Sequence, residues 1–399
     1  MTKVIIVGCG IAGPVLALLL QQNGFEPVIY ERGKRSPEAG LSLALQSNGL
    51  KVLSQIPGLV EQLPGKTIEH SALYSIVPTD ERILAESADR RGMVGVHRPT
   101  FLAFLSDIAL ARGISIHFET PVVGIEQTEE YARVLLSTGD TDTAPLVVGC
   151  DGLHSNVRVA PFGEEKPTFT GLTQTGGLTL GAFTSHKPTM FNFYGENMHI
   201  ITYPVSEESY IWALTQREPE TKETWRAMDE VAQKAVRHGP FSQLPFGVGD
   251  LVNKAQNITR YGLYDRPELK SWHKGRVVLM GDAAHPTSPH LGQGANQAFE
   301  DAHHLARLLV EYHPQAAGTS DVGLGPSIAT LSAVFTAFET ERMERTAALV
   351  RGARKVGELR VVAGVDAARA RNELVSAEWA QLGPPPVSTA AAVDTRRTK

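Results

Sequence analysis

The spacing of apolar residues along the chain changes several times, and each change marks an element. Lys3 to Val7 is an apolar run of strand length, and after a glycine-rich break the apolar positions continue from about Pro14 to Asn23 as a buried helix would carry them. Gly24 turns the chain, and Pro27 to Tyr30 reads as a second strand, which completes a strand–helix–strand unit. The segment EAGLSLALQSNGLKVLSQI reads as a loop followed by a helix from about Ser47. Residues 67–97 alternate as antiparallel strands do, and HRPTFLAFLSDIALARG restores a helical period that Gly113 ends. A strand series follows, closing on LVVGC and the acid Asp151.

From about Pro167 to Leu269 alternation dominates, as in MFNFYGENMHIITYPVSEESYIWALT, and one polar helix, TKETWRAMDEVAQKAVRHG, interrupts it. The run GRVVLM then has the length and β-branching of a buried strand, and helices continue to about Gln381. Composition narrows the class. The chain has 399 residues, 42% of them hydrophobic and 20% charged, which fits two or three ordinary globular units. A net charge of −5 without a basic run excludes nucleic acid or an anionic membrane as the main partner. Cys9 and Cys150 each adjoin a glycine at a strand end, so they read as small buried residues of a protein in a reducing compartment. Residues 4–20 are almost uncharged, yet three glycines and Pro14 divide them into strand and helix, with no cleavage site or basic stop behind them. No membrane span is expected, and a cytoplasmic location is.

Three fingerprints carry chemistry. VIIVGCGIAG places Gly8, Gly10 and Gly13 in G-x-G-x-x-G spacing between a strand and a helix beginning near Ala12: the first permits a tight turn, the second close approach of a pyrophosphate, the third close helix–strand packing. Glu31, followed by Arg32, lies 18 residues beyond Gly13 at the end of the second strand, where a carboxylate accepts from ribose hydroxyls and repels a 2′-phosphate. This predicts the adenosine of FAD or NAD. CDGLHSNVR, with Asp151, Gly152, Ser155 and Arg158, reads by itself as a strand-to-helix turn with an Asx-type cap. The third stretch, GDAAHPTSPHLGQGANQAFEDA, sets Asp282 at a strand's carboxyl end and runs through Pro286, Pro289, Gly292, Gly294, Ala295 and Asn296 into a helix with little bulk in its first turn. As metal ligands, Asp282, His285 and His290 match no common zinc spacing, and no metal is expected.

In this order the three fingerprints resemble the group A flavoprotein monooxygenases, relatives of p-hydroxybenzoate hydroxylase, salicylate hydroxylase and the tetracycline-inactivating monooxygenases, over roughly residues 3 to 350. The resemblance implies FAD as cofactor and NADPH or NADH as transient co-substrate, with O2 adding at flavin C4a and the hydroperoxide delivering oxygen to a small aromatic or polycyclic molecule. It assigns Gly8, Gly10, Gly13 and Glu31 to the ADP moiety, Arg98 of HRPTFL to FAD, Asp151, Gly152 and Arg158 to FAD and NADPH handling, and Asp282 to the ribityl and pyrophosphate, with Ala12, Arg32, Pro289, Gly292, Gly294, Ala295 and Asn296 completing the expected cofactor-binding set. The resemblance also implies that the helix after Asp282 lies under the flavin ring, where its free N–H groups would meet the charge that reduction places at N1 and O2. The chain stops short of the extra C-terminal domain of phenol hydroxylases and lacks the W-x-W-x-I-P signature of flavin halogenases.

The predicted fold class is α/β: a Rossmann-like FAD-binding domain with a parallel sheet and helices, an inserted mostly antiparallel sheet lobe for substrate, and C-terminal helices. The expected divisions are 1–66, 98–165 and 271–345 for the FAD-binding domain, 67–97 and 166–270 for the lobe, 346–382 for a helical segment and 383–399 for a disordered tail. Phe191, Phe193, Tyr203 and Trp212 are the candidate cavity lining together with Pro289, although alternation sends about half of such strand residues to the other face. Leu43 and Leu45 either border the flavin or pack in the core. No catalytic acid or base stands out. The rival enzymatic reading is a flavin-dependent reductase or dehydrogenase of an isoprenoid-type substrate on the same fold; a non-catalytic flavin or NAD binder would not need Asp151, Arg158 and Asp282 together.

Overall fold

The computed structural model describes residues 1–35, 40–88, 92–181, 183, 187–220, 227–313 and 325–382. The tail expected at 383–399 and the first six residues of the expected polar helix lie outside these; the rest of that segment gives a helix only over Glu230–Arg237. Among the described residues, no helix is long and apolar enough to cross a membrane.

The first fingerprint sits in a six-stranded sheet ordered His273–Lys274, Val277–Leu279, Leu146–Gly149, Thr2–Val7, Phe25–Tyr30, Ser115–His117. All neighbours are parallel except the antiparallel pair at the His273–Lys274 edge. The inner strands carry continuous apolar runs, Val4–Val7, Leu146–Val148 and Val277–Leu279 among them, as burial on both faces requires. The strand order reverses at Thr2–Val7, whose flanking strands connect in opposite directions, and its carboxyl end is therefore the crevice where such sheets bind ligands. Register finishes the arrangement. Val7 pairs with both Tyr30 and Gly149, and Gly149 pairs with Leu279, so Gly8, Glu31, Asp151 and Asp282 all emerge from the same end of adjoining strands.

A mostly antiparallel seven-stranded sheet forms the second lobe: Ala255–Asp265, Thr168–Leu180, Ser209–Arg217, Met198–Pro204, Thr189–Gly195, His70–Ser75 and Arg82–Ala88 in spatial order. One face packs Phe191, Phe193, Tyr210, Trp212 and Leu214 against Phe183 and the short helix Val248–Asn253. The other face looks toward the parallel-sheet domain. Ser42–Leu45, expected as loop, is a strand paired with Val94–His97, and this pairing explains the alternation of Leu43 and Leu45. The boundary expected at residue 345 falls inside one helix, Ile328–Arg360, which Val365–Leu382 follows.

The helix Gly294–Tyr312 is the hub of the parallel-sheet domain. It packs on the first helix, Ala12–Gln22, on Ser47–Leu53 and on Ile328–Arg360. On it, Asp301 is wholly buried and accepts from the Gly281 backbone N–H at 2.9 Å, from His285 Nε2 at 2.6 Å and from Arg342 Nε at 2.7 Å. Burial alone would raise its pKa; His285, Arg342 and the Gly281 amide instead hold the carboxyl well below the usual range. A group depressed in this way stabilises the fold fully above its unfolded pKa of about 3.9 and loses that contribution as pH falls toward the native value. Asp301→Asn leaves Arg342 short of a counter-charge and should lower unfolding free energy by about 3–5 kcal/mol at neutral pH. Denaturant titrations across pH should show a constant gap from wild type above about pH 5 that shrinks in acid; a gap that widens in acid would contradict the assignment.

Candidate active site

At the switch-point turn, Gly8 has φ +107°, and a Cβ there would lie 2.5 Å from the Cys150 carbonyl oxygen. A Cβ on Gly13 would lie 2.0 Å from the Gly8 carbonyl oxygen, so the helix meets the turn at backbone contact. Gly10 differs. A Cβ on it meets nothing within 4 Å, so the fold itself does not demand glycine there, and the open space is what a close-approaching pyrophosphate needs. Glu31, half-buried, accepts from the Cys9 and Gly33 backbone N–H groups, both at 2.6 Å. Each carboxylate oxygen has further acceptor capacity, which suits ribose hydroxyls. Ala12 is buried in the first helix and Arg32 is exposed beyond Glu31.

The second fingerprint braces the third. Asp151 accepts from Ser155 Oγ at 2.5 Å and from the Val157 N–H at 3.1 Å, and Ser155 Oγ in turn accepts from the Arg158 N–H at 2.9 Å, which caps the helix Asn156–Phe162. Burial raises the Asp151 pKa against these bonds. Arg158 is only 2% exposed; its guanidinium donates to Glu165 at 2.8 Å and, at 3.4 Å, to the Ala283 and Ala284 carbonyls just behind Asp282. Arg158 thus braces the backbone of the Asp282 turn from below.

Between the domains lies one cavity of about 610 Å³. One wall consists of Ile11, Leu43, Gln46, Arg98, Asp282 and the Pro286–Ala295 stretch; the other is the inward face of the seven-stranded sheet. Gly292 is left-handed at φ +61°, and the helix that starts at Gly294 has no side-chain cap, so its first N–H groups open on the cavity side. Gly40, at φ +112°, leaves room for Arg98, since a Cβ there would stand 2.8 Å from Arg98 Cδ.

Strand parity decides the lining. Met190, Asn192, Tyr194, Ile201, Tyr203, Ile211 and Ala213 face the cavity. Phe191, Phe193 and Trp212 point the other way into the lobe's own core, and this corrects their expected place in the lining. Tyr203 is in the lining, with its hydroxyl 2.7 Å from Ser42 Oγ; burial pushes its pKa up to about 12. Leu43 borders the cavity, while Leu45, two residues on along the same face of the strand, is fully buried in the main core. Pro289 borders it as well. The buried side chain of Asn296 accepts from the Gln46 N–H and donates to the Ala44 and Gly292 carbonyls, so it fixes the loops on either side. Sequence reasoning missed Gln46, which donates to the Leu291 carbonyl at 2.9 Å, and missed Ser288, His290, Arg360 and Trp379 on the cavity wall. Ser288 Oγ and both ring nitrogens of His290 are buried without a partner, and they point to a polar ligand. In the sequence the signal for His290 was only its position between Pro289 and Gly292.

Residues 1–320 match the FAD binding domain family, and the chain belongs to it, among the flavoprotein monooxygenases. It is similar to a 3-amino-4-hydroxybenzoate 2-monooxygenase of Streptomyces cremeus, at 30% identity over 369 residues covering 89% of this chain and 87% of that one. The corresponding enzyme PtnB3 of Streptomyces platensis is 29% identical, with 82% of each chain covered. Klebsiella pneumoniae HpxO, solved with FAD and uric acid, has the same fold at a TM-score of 0.80 and 21% identity, covering 96% of this chain and 94% of that one. FAD is thus the cofactor, and the open space at Gly10, the acceptor at Glu31 and the uncapped helix start fit it.

Two outcomes follow for the cofactor. Gly10→Val should fold and purify colourless, because only the cofactor needs that space, whereas Gly13→Val should fail to fold against the Gly8 carbonyl; full flavin occupancy in Gly10→Val would refute this. Asp282→Ala removes a charge-assisted contact worth about 1.5–3 kcal/mol, so titration of apoprotein should show FAD affinity weakened tenfold or more.

Proposed function

We propose that the protein is an FAD-dependent, NAD(P)H-consuming monooxygenase that inserts one atom of O2 into a small aromatic or polycyclic substrate. The observation carrying this reading is the cavity of about 610 Å³ that has an uncapped helix N-terminus on one wall and the inward face of the seven-stranded sheet on the other. Its volume is within the range of small-molecule sites. The bound FAD supplies the redox chemistry, taking electrons from a nicotinamide and activating O2.

The chain's own residues position, neutralise and dry. The N–H groups at Gly294 and Ala295 bring roughly half a positive charge to one side of the cavity. Met190, Ile201, Ile211 and Leu73 keep water from the opposite side. The Tyr203–Ser42 hydrogen bond joins the sheet lobe to the strand bordering the cofactor side, and the raised Tyr203 pKa keeps its hydroxyl protonated at physiological pH. Relatives named for action on aminohydroxybenzoate support a substrate built on one aromatic ring. The one dinucleotide fingerprint is taken by FAD, so the nicotinamide co-substrate is read as a transient visitor. Buried free thiols at Cys9 and Cys150 support the cytoplasmic placement.

A panel of aromatic compounds tested with NAD(P)H under ¹⁸O2 should contain a member that acquires one labelled oxygen atom. That member should also speed anaerobic flavin reduction, by roughly a hundredfold if substrate gates the step by about 3 kcal/mol. Labelled product without any acceleration would reject the gate and retain the monooxygenase; nicotinamide oxidation that never labels a product would reject the monooxygenase.

A further inference from the structure

The sheet-side end of the cavity holds a cation with no matching anion. Arg360 is the last residue of the helix Ile328–Arg360, and its side chain reaches the cavity wall. The guanidinium meets the Tyr194 hydroxyl, while Nε is shut off from solvent and has no partner. Among the described residues, no carboxylate pairs with it. The carboxylates that do line the cavity, Asp282 and Glu378, are both exposed. Arg371, the neighbouring cation, is spent elsewhere: it donates to the Leu359, Arg360 and Gly195 carbonyls at 3.0, 3.1 and 2.8 Å, and so holds the end of the helix on which Arg360 sits.

Two features aim this end at the cofactor side. Gly357, one helical turn before Arg360, packs directly on His290, since a Cβ there would be 2.4 Å from the ring. Burial, reinforced by Arg360, pushes the His290 pKa down to about 3, so the ring is neutral and offers one donor and one acceptor. Arginine keeps its charge, and a guanidinium whose Nε is shut off from solvent without a counter-ion is costly until an anion arrives. The Nε edge of a guanidinium supplies two parallel N–H groups, the geometry a carboxylate takes.

We infer that Arg360, with the Tyr194 hydroxyl and the His290 ring, forms a subsite for a carboxylate on the aromatic substrate, supplied by the C-terminal helices and not by the sheet. The inference rests on the cavity being the substrate cavity of the proposed monooxygenase. The carboxylate end docks at Arg360, and the ring extends from there into the cavity.

The test uses FAD-loaded protein and two probes of equal shape, 3-hydroxybenzoate and 3-hydroxybenzamide, with binding followed by equilibrium dialysis and by the flavin absorbance change. The acid should bind at least about tenfold more tightly than the amide, and Arg360→Met should erase that preference by weakening the acid alone. If Arg360→Met does not yield folded, flavin-loaded protein, Arg360→Lys takes its place: it keeps the charge but not the fork, and should weaken the acid several-fold with the amide unchanged. Equal binding of acid and amide to wild type, no binding of the acid, or unchanged acid affinity in the variant used would overturn the inference. Because the readout is binding, it stands apart from the function reading, which fails instead on absence of labelled product.

Discussion

The Asp301 carboxylate is the interaction on which the rest of the site depends. A glycine-rich helix start can face a cavity only if something else fixes it, since residues without side chains make few contacts of their own. Asp301, two turns into that helix, ties it to the Gly281 turn, to His285 and to Arg342 on the long C-terminal helix. Arg342 also reaches Glu300 at 2.5 Å, and Glu300 accepts from Asn48 at 2.6 Å, which carries the network to the helix after the cofactor-side strand. One buried charge cluster thus sets the positions of three segments that border the cavity. Buried ion pairs are poor sources of net stability but demanding of geometry, and geometry is what an uncapped helix N-terminus requires.

Around this anchor, backbone satisfaction replaces side-chain bulk. Gln46 and Asn296 exchange hydrogen bonds with the Ala44, Leu291 and Gly292 backbone, so the strand Ser42–Leu45 and the Pro289–Gly292 turn hold each other across the cavity rim. Arg158 does the same from below through the Ala283 and Ala284 carbonyls. Residues that look like ligand contacts in a linear motif can therefore serve the cofactor at one remove, by holding the loops whose backbone meets it.

The fold class was legible because it rests on local signals: an apolar run, a glycine turn and a helix at the N-terminus, then alternation over residues 167–269. The strand Ser42–Leu45 was not, because four residues with no turn chemistry give no period to count, and only its partner Val94–His97 makes it a strand. Parity was the other limit. Alternation says that Phe191 and Asn192 face opposite ways but not which way the cavity lies, and choosing the larger residues picked the lobe's core. Aromatic bulk marks a face that is filled; the open face carries Asn192, Tyr194 and Ala213, whose mix of polarity and small size leaves room for a ligand.

The C-terminal helices show why substrate choice is harder to read than cofactor. The family match ends at residue 320, yet Val356, Leu359, Arg360, Val375 and Trp379 all stand on the cavity wall. Their helices carry no glycine fingerprint, because they approach no phosphate and need no tight turn; they need only to dock. Docking is achieved by scattered polar contacts, Ser376 to the Leu84 carbonyl at 2.8 Å and Asn372 to Ser75 at 2.9 Å, that pin Val365–Leu382 beside the strand Arg82–Ala88. The FAD side is constrained by an invariant ligand and so leaves a spaced motif, whereas a wall that answers to one substrate is constrained only by the volume and charge it must match. In this chain that match is set by an unpaired guanidinium placed at a helix end, a feature that acquires meaning only when the two domains and the last helices are seen together.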